Sequence, residues 1–275
     1  MSIAVADATG VETLVDWAAA EGWNPGRSDA AAFRAADADG FLLGTIDGEP
    51  VGAISVVRYD PTFAFLGLYI VRPEWRGRGH GLEMWHAGMA LAGDRTIGLD
   101  GVVDHQADYA RSGFVLMRRN IRHGGVGGGE APEGLVSLDA VDRKMLVGYD
   151  AGIFPVPRPR FLDGWLAMAG ISALGVVRDG ALVGYGVARP CRVGVKIGPL
   201  FADDEATAER LFIGLSAWTG DRPLFLDVPE TNDAARRLAE RHGMAPTFET
   251  ARMYAGVAPG EPVERIFGVT TFELG

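Results

Sequence analysis

The chain repeats itself, and that constrains its fold more than any other feature. The segment "DGEPVG" at Asp47 to Gly52 recurs as "DGALVG" at Asp179 to Gly184, and "GLY" at Gly67 returns as "GPL" at Gly198. Leu99-Asp100 comes back as Leu226-Asp227, and "ARSGF" ending at Phe114 as "ERHGM" ending at Met244. All of these landmarks keep a register of about 130 residues, which chance matches would not do, so one unit has been duplicated. The 275 residues exceed the usual size of one domain, and a hydrophobic content of 48% supplies two cores.

Both copies read alike. A short strand and helices open each one ("TLVDWAAAEGW" and "AAFRAADA" in the first), then a hairpin turns through Asp-Gly at Asp47-Gly48 and Asp179-Gly180. A central strand, a helix, a further strand ("TIGLDGV", "PLFLDV"), a helix and a last strand follow. The expected class is mixed α/β, each copy a twisted mixed sheet flanked by helices. The stretch "RHGGVGGGEAPEG" reads as a flexible divider, giving an N-terminal domain 1–122, a glycine-rich linker 123–134 and a C-terminal domain 135–275. The first copy looks short of a final strand. The β-rich run "VERIFGVTTFELG" either closes the second sheet or crosses to the first.

Within the first copy, "YIVRPEWRGRGHG" (residues 69–81) sets three glycines among arginines and a histidine. Upstream, "FAFLGLYIV" is an apolar, aromatic and β-branched run, as a strand covered on both faces would be. Downstream, Leu82, Trp85, Met89 and Ala92 recur about once per helical turn until Gly93. A glycine loop between a strand and a helix N-terminus is an anion site, where free amides and the helix dipole converge. Arg76 and Arg78 add charge suited to diphosphate oxygens. The loop lacks the Gly-Lys-Ser/Thr ending of a nucleoside-triphosphate loop and the spacing of a dinucleotide fingerprint. Arg76-Gly77-Arg78-Gly79-His80-Gly81 does fit R/Q-x-x-G-x-G/A, after Val71-x-Pro73 and Trp75. It resembles the pyrophosphate loop of the GNAT superfamily of acyl-CoA-dependent N-acyltransferases. Over the whole chain, "IGPLFADD", "LDVPETN" and "RMYAG" resemble a tandem-GNAT family.

The resemblance implies acetyl-CoA as co-substrate, held by Arg76, Gly77, Arg78, Gly79, His80 and Gly81, and direct attack by an amine in a ternary complex. The duplicated, acidic chain, expected to form a walled negative cleft, points to a small-molecule amine. The resemblance also implies an acyl carbonyl polarised by strand backbone near Tyr69, Ile70 and Val71, an oxyanion site. Tyr109, four residues before Gly113, would face the thioester sulfur and protonate the departing thiolate, its second-copy counterpart being Ala239. Asp100, at the end of its strand, is the candidate to take the amine proton, with a turn residue as its bland reading. Asp104, Asp108 and Glu83 are weaker candidates. The asparagine usual in the family's last helix is missing from "VVDHQADY".

The second copy has Asp203, Asp204 and Glu205 where the loop should be. Carboxylates there suit the helix dipole and repel a diphosphate by about 1 kcal/mol per close charge pair. It is therefore expected to keep the fold without the cofactor site and to shape the acceptor site instead. The formal charge of −10 argues against nucleic acid and mildly favours a cationic ligand. No apolar run reaches membrane-spanning length, and "MSIAVADATG" lacks a signal-peptide pattern. Those features and one cysteine, Cys191, read as a cytoplasmic chain without disulfides. The five histidines show no metal-ligand spacing, so no metal is expected. The rival readings are a non-catalytic acyl-CoA sensor or scaffold, and an aminoacyl transferase using charged RNA, which the acidic charge disfavours.

Overall fold

The computed structural model describes residues 1–275. In the first copy, β1 (Ser2–Val5) leads to α1 (Ala8–Ala20), α2 (Asp29–Ala36), β2 (Phe41–Ile46) and β3 (Glu49–Arg58). Next come β4 (Phe63–Val71), α3 (His80–Ala92), β5 (Thr96–Val102), α4 (Gln106–Arg111) and β6 (Val115–Val126). The second copy follows the same order: β7 (Val136–Ser137), α5 (Arg143–Ala151), α6 (Pro159–Leu166), β8 (Ser172–Arg178) and β9 (Ala181–Pro190). It continues with β10 (Val195–Ala202), α7 (Glu205–Thr219), β11 (Pro223–Pro229), α8 (Asp233–Arg241) and β12 (Ala245–Ala255). A short β13 (Ile266–Gly268) has no counterpart in the first copy. The expected Asp-Gly hairpins are present in matching geometry. Asp47 and Gly48 have φ of 51° and 81°, Asp179 and Gly180 of 51° and 79°, as a turn with two left-handed residues requires.

The fold is mixed α/β, as expected, but the strands do not form two separate sheets. They make one 13-stranded sheet in the order β1-β2-β3-β4-β5-β12-β6-β11-β10-β9-β8-β7, with β13 beside β10. The last strands of the two copies are exchanged. β12 lies between β5 and β6, and β6 lies between β12 and β11. Each copy's sheet is thus completed by the other copy.

This exchange corrects the linker expected at 123–134, because residues 123–126 belong to β6. Gly124 and Gly125 are there for close packing rather than flexibility. A Cβ on Gly124 would stand 3.0 Å from the Thr247 methyl, and one on Gly125 would stand 3.0 Å from Met244 Cγ.

Two buried ion pairs bridge the exchanged strands. Arg252 of β12 donates to Asp100 of β5 at 2.7 and 3.0 Å, and Arg122 of β6 donates to Asp227 of β11 at 2.6 and 2.9 Å. In both cases aspartate and arginine are register partners across antiparallel strands. Burial opposes the charge on Arg252, but Asp100, Tyr254 and Glu261 overcome it and hold the guanidinium firmly protonated.

The largest core, 28 buried residues, also joins the halves. It takes in Val11, Leu14 and Val15 of α1, Phe33 of α2, Trp165 of α6, and Val269, Phe272 and Leu274 of the segment after β13. No helix is long and apolar enough to cross a membrane.

Candidate active site

The site grows out of a parting in the sheet. β4 and β5 pair in parallel from Phe63–Thr96 to Leu66–Leu99 and then diverge. At that point β4 is bulged against β3, between the Ser55–Gly67 and Ala53–Ile70 pairs, and Leu68 adopts a left-handed φ of 46°. The parting opens a cavity of about 550 Å³ whose wall includes Leu66 through Val71 of β4 and Leu99 and Asp100 of β5.

The glycine loop closes the far end of β4. Gly77 and Gly79 have φ of 74° and 88°, and Gly79 is the N-cap of α3. The amides of residues 77 to 82 donate to no group of the protein. Free amides at a helix start are what an anion meets in a phosphate site. Gly81 is also needed for closeness, since a Cβ there would lie 2.9 Å from the Tyr69 hydroxyl. Arg76 is steadied by its Nε bond to the Val71 carbonyl at 2.8 Å and by an ion pair with Glu21. Arg78 stacks over the Trp75 ring at 5.2 Å, and His80 Nδ1 lies 3.3 Å from Glu83. Tyr69, Ile70, Val71, Arg76, Gly77 and Gly81 line the cavity, whereas Arg78, Gly79 and His80 stand outside its wall. These residues fit a diphosphate-bearing ligand: unpaired amides, flanking guanidiniums and a backbone stripped of side chains.

Tyr109 also lines the cavity and is buried. Its ring lies against Gly101 of β5, where a Cβ would stand 2.7 Å away, and it packs on Trp85, 5.7 Å between ring centres. α4 stops just behind it: Gly113 turns at φ 89°, and the Phe114 amide donates to the Tyr109 carbonyl at 3.1 Å. Burial, helped by Tyr69 and Asp108, pushes the phenol well above its ordinary range.

Asp100 does not match its expected role. Both of its oxygens are engaged, by Arg252 and by Asn120 Nδ2 at 2.8 Å, so this carboxylate is committed to joining the two copies. Of the weaker candidates, Asp104 is exposed on the cavity wall, Asp108 pairs with Arg111 and His105, and Glu83 faces His80. Cys191 is buried, and burial raises its thiol.

Trp23, Phe248, Thr250, Phe272 and Glu273 are also on the wall, with Glu21, Val102 and His105, and four of the first five come from the second copy. Sequence reasoning missed those five. Their neighbourhoods carry no motif, and their arrival at β4 depends on the strand exchange and on the path after β13. The backbone of Glu273 lies against Gly67, where a Cβ would be 2.1 Å from the Glu273 carbonyl oxygen.

A sheet parted beside a glycine loop that opens a helix defines an acyltransferase of the GNAT class. Residues 9–114 match the model of the acetyltransferase (GNAT) family, and residues 146–268 that of an acetyltransferase (GNAT) domain. The chain belongs to the GNAT superfamily and carries two of its domains in tandem. It is 29% identical over 263 residues to holothin acyltransferase of Pseudoalteromonas sp. (strain SANK 73390), covering 94% of this chain and 90% of that one. A putative acetyltransferase from Pyrococcus horikoshii superposes with a TM-score of 0.84 at 25% identity, over 100% of this chain and 95% of its own. A tandem GNAT protein from the clavulanic acid biosynthesis pathway superposes with a TM-score of 0.63 at 17% identity, over 94% and 99% of the two chains.

Proposed function

We propose that the protein transfers an acetyl group from acetyl-CoA to the primary amine of a small molecule, by direct attack while both substrates are bound. One observation carries the reading: a single cavity is lined by the glycine loop, by Tyr109 and by aromatic residues of the second copy. In this division of labour the first copy holds the donor and the second shapes the acceptor site.

The bound donor supplies an acyl group activated as a thioester. The amides of residues 77–82 and Arg76 would hold its diphosphate. The backbone of Tyr69 to Val71, freed from β5 by the parting, would polarise the acyl carbonyl. Tyr109 keeps its proton at any working pH and so meets the leaving sulfur as a hydrogen-bond donor. A complete transfer would leave a buried phenolate, so much of its effect lies in that hydrogen bond. Trp23, Phe248 and Phe272 wall the acceptor side, which favours a small molecule over a folded protein's lysine.

The test is thiol release from acetyl-CoA across a panel of amines. Amine-dependent release is expected, and Tyr109→Phe should lower kcat roughly 10²-fold with donor affinity unchanged. Tight acetyl-CoA binding with no release on any amine would make the protein a sensor.

A further inference from the structure

With Asp100 committed to Arg252, the proton that an acceptor amine must lose needs another destination, and the other acceptors named on the wall, Asp104 and His105, are exposed to solvent rather than buried. Buried polar atoms are nearly always hydrogen-bonded, so those that are not need a reason. Two such atoms belong to residues of the cavity wall: Glu273 Oε1 and Thr250 Oγ1, both without a partner. Glu273 is 2% exposed and Thr250 1%. Leaving either polar atom unpaired costs about 1–3 kcal/mol; both atoms are closed to solvent, so the ligand group that removes this cost is one that presses into the wall and shifts its side chains.

Glu273 is held firmly. Its amide and that of Leu274 donate to Thr271 Oγ1 at 2.9 and 3.3 Å, and Tyr59 donates to the Leu274 carbonyl at 2.8 Å. Its other oxygen, Oε2, accepts from the Thr271 hydroxyl. Its backbone rests on Gly67, where β4 leaves β5. Thr250 lies on the exchanged strand β12, opposite Val102 of β5.

We infer that Glu273 and Thr250 form the amine-receiving corner of the cavity, with Glu273 Oε1 taking the proton that the acceptor nitrogen loses. This rests on the acyl-transfer reading above. As the C–N bond forms and the C–S bond breaks, one N–H proton passes to Glu273 and the sulfur departs as a thiolate that accepts the Tyr109 hydrogen bond. Glu273 then gives its proton to solvent and the thiolate takes one up from solvent, so amine and thioester have become amide and thiol. The corner also sets the substrate class. Of the carboxylates on the wall, Glu21 is paired with Arg76, Asp100 with Arg252, and Asp104 is exposed. Glu273 is the buried wall carboxylate that makes no ion pair, although Arg122, Arg189 and Lys196 lie within electrostatic reach of it, and among aromatic faces it suits a monoamine with an apolar body.

The experiment uses the full chain, acetyl-CoA, and benzylamine, phenethylamine and spermidine as probes. The monoamines should be the better acceptors. Glu273→Gln should lower kcat roughly 10²-fold while the calorimetric affinity for acetyl-CoA stays the same. Thr250→Val should raise the amine KM about tenfold without loss of thermal stability, because a hydroxyl with a purely structural role would have had a partner. Wild-type kcat in Glu273→Gln together with an unchanged amine KM in Thr250→Val would overturn the corner and leave the transfer reading standing. Should Glu273→Gln fail to fold, the amine KM of Thr250→Val decides alone. A wild-type protein that binds acetyl-CoA but releases thiol with none of the amines takes down both readings.

Discussion

The two copies part their sheets in the same place and use the opening in opposite ways. β4 and β5 separate after Leu66–Leu99, and β10 and β11 after Ile197–Leu226, at the equivalent point of the repeat. In the first copy the parting is a cavity. In the second it is filled by the chain itself: β13 pairs with β10, Leu200 opposite Gly268, and the Val269 amide donates to the Asp227 carbonyl at 2.9 Å. The filling is close, since a Cβ on Gly268 would stand 2.6 Å from Leu226 Cδ1. The helix starts differ in the same sense. α3 begins with unpaired amides, whereas α7 begins with Asp204, which accepts from the Thr207 amide at 2.7 Å. Duplication preserved the parting, and what lies in it separates an open cavity from a packed core.

What the copies still share is the crossing ion pair, and breaking it should give the largest effect. Arg252→Met leaves buried Asp100 with only the neutral Asn120 amide, while Glu261 keeps Arg118, and should cost about 3–5 kcal/mol in urea unfolding. Adding Asp100→Leu should recover part of that loss by removing one stranded charge. Arg122→Met should cost a similar amount, because it leaves Asp227 with Lys196 alone, 3.9 Å away. If Arg252→Met costs less than about 1 kcal/mol, as a surface pair would, the symmetry of the two pairs is decorative.

The exchange also marks where legibility in the sequence stopped. Order and type of elements were readable because local patterns carry them: Asp-Gly turns, the apolar run of β4, the glycine loop, Gly113 behind Tyr109. The first copy looks short of a final strand in the sequence, but Val115–Val126 is that strand. What could not be read is its placement, because β6 and β12 are both regular strands and nothing local says whose neighbour each becomes. A fragment ending near residue 127 would leave β6 without either of its partners, so the halves must be probed within the whole chain. Asp100 was misread for the same reason: its partner lies 152 residues away on the exchanged strand. Glu273 carried no signal at all, since its place at Gly67 depends on the path after β13.

Reversing charge at the open helix start should have an intermediate effect. Arg76→Glu/Arg78→Glu places carboxylates where the second copy has them and should weaken acetyl-CoA binding about tenfold or more, by Coulomb repulsion at close range. Titration calorimetry reads this directly. Unchanged affinity would move the donor's diphosphate away from the loop.

The smallest expected effect is the sharpest on the comparison, because it separates two reasons for the second copy's silence. Either the acidic helix start repels the donor, or the filled parting excludes it. Asp204→Ser keeps a capping oxygen, and Glu205→Gln removes a charge whose exposed pairs with Arg237 and Arg241 contribute little to stability. If repulsion alone closed the site, this double variant should bind a second acetyl-CoA. It should not, because β13 still occupies the space a pantetheine arm would need, and evicting it would expose the buried side chains of Ile266 and Phe267. Calorimetry should therefore return one acetyl-CoA per chain for the variant, as for the parent, with an unfolding midpoint close to the parent's. A second equivalent of donor would show that charge, not packing, closed the second site, and that β13 yields more easily than its burial implies.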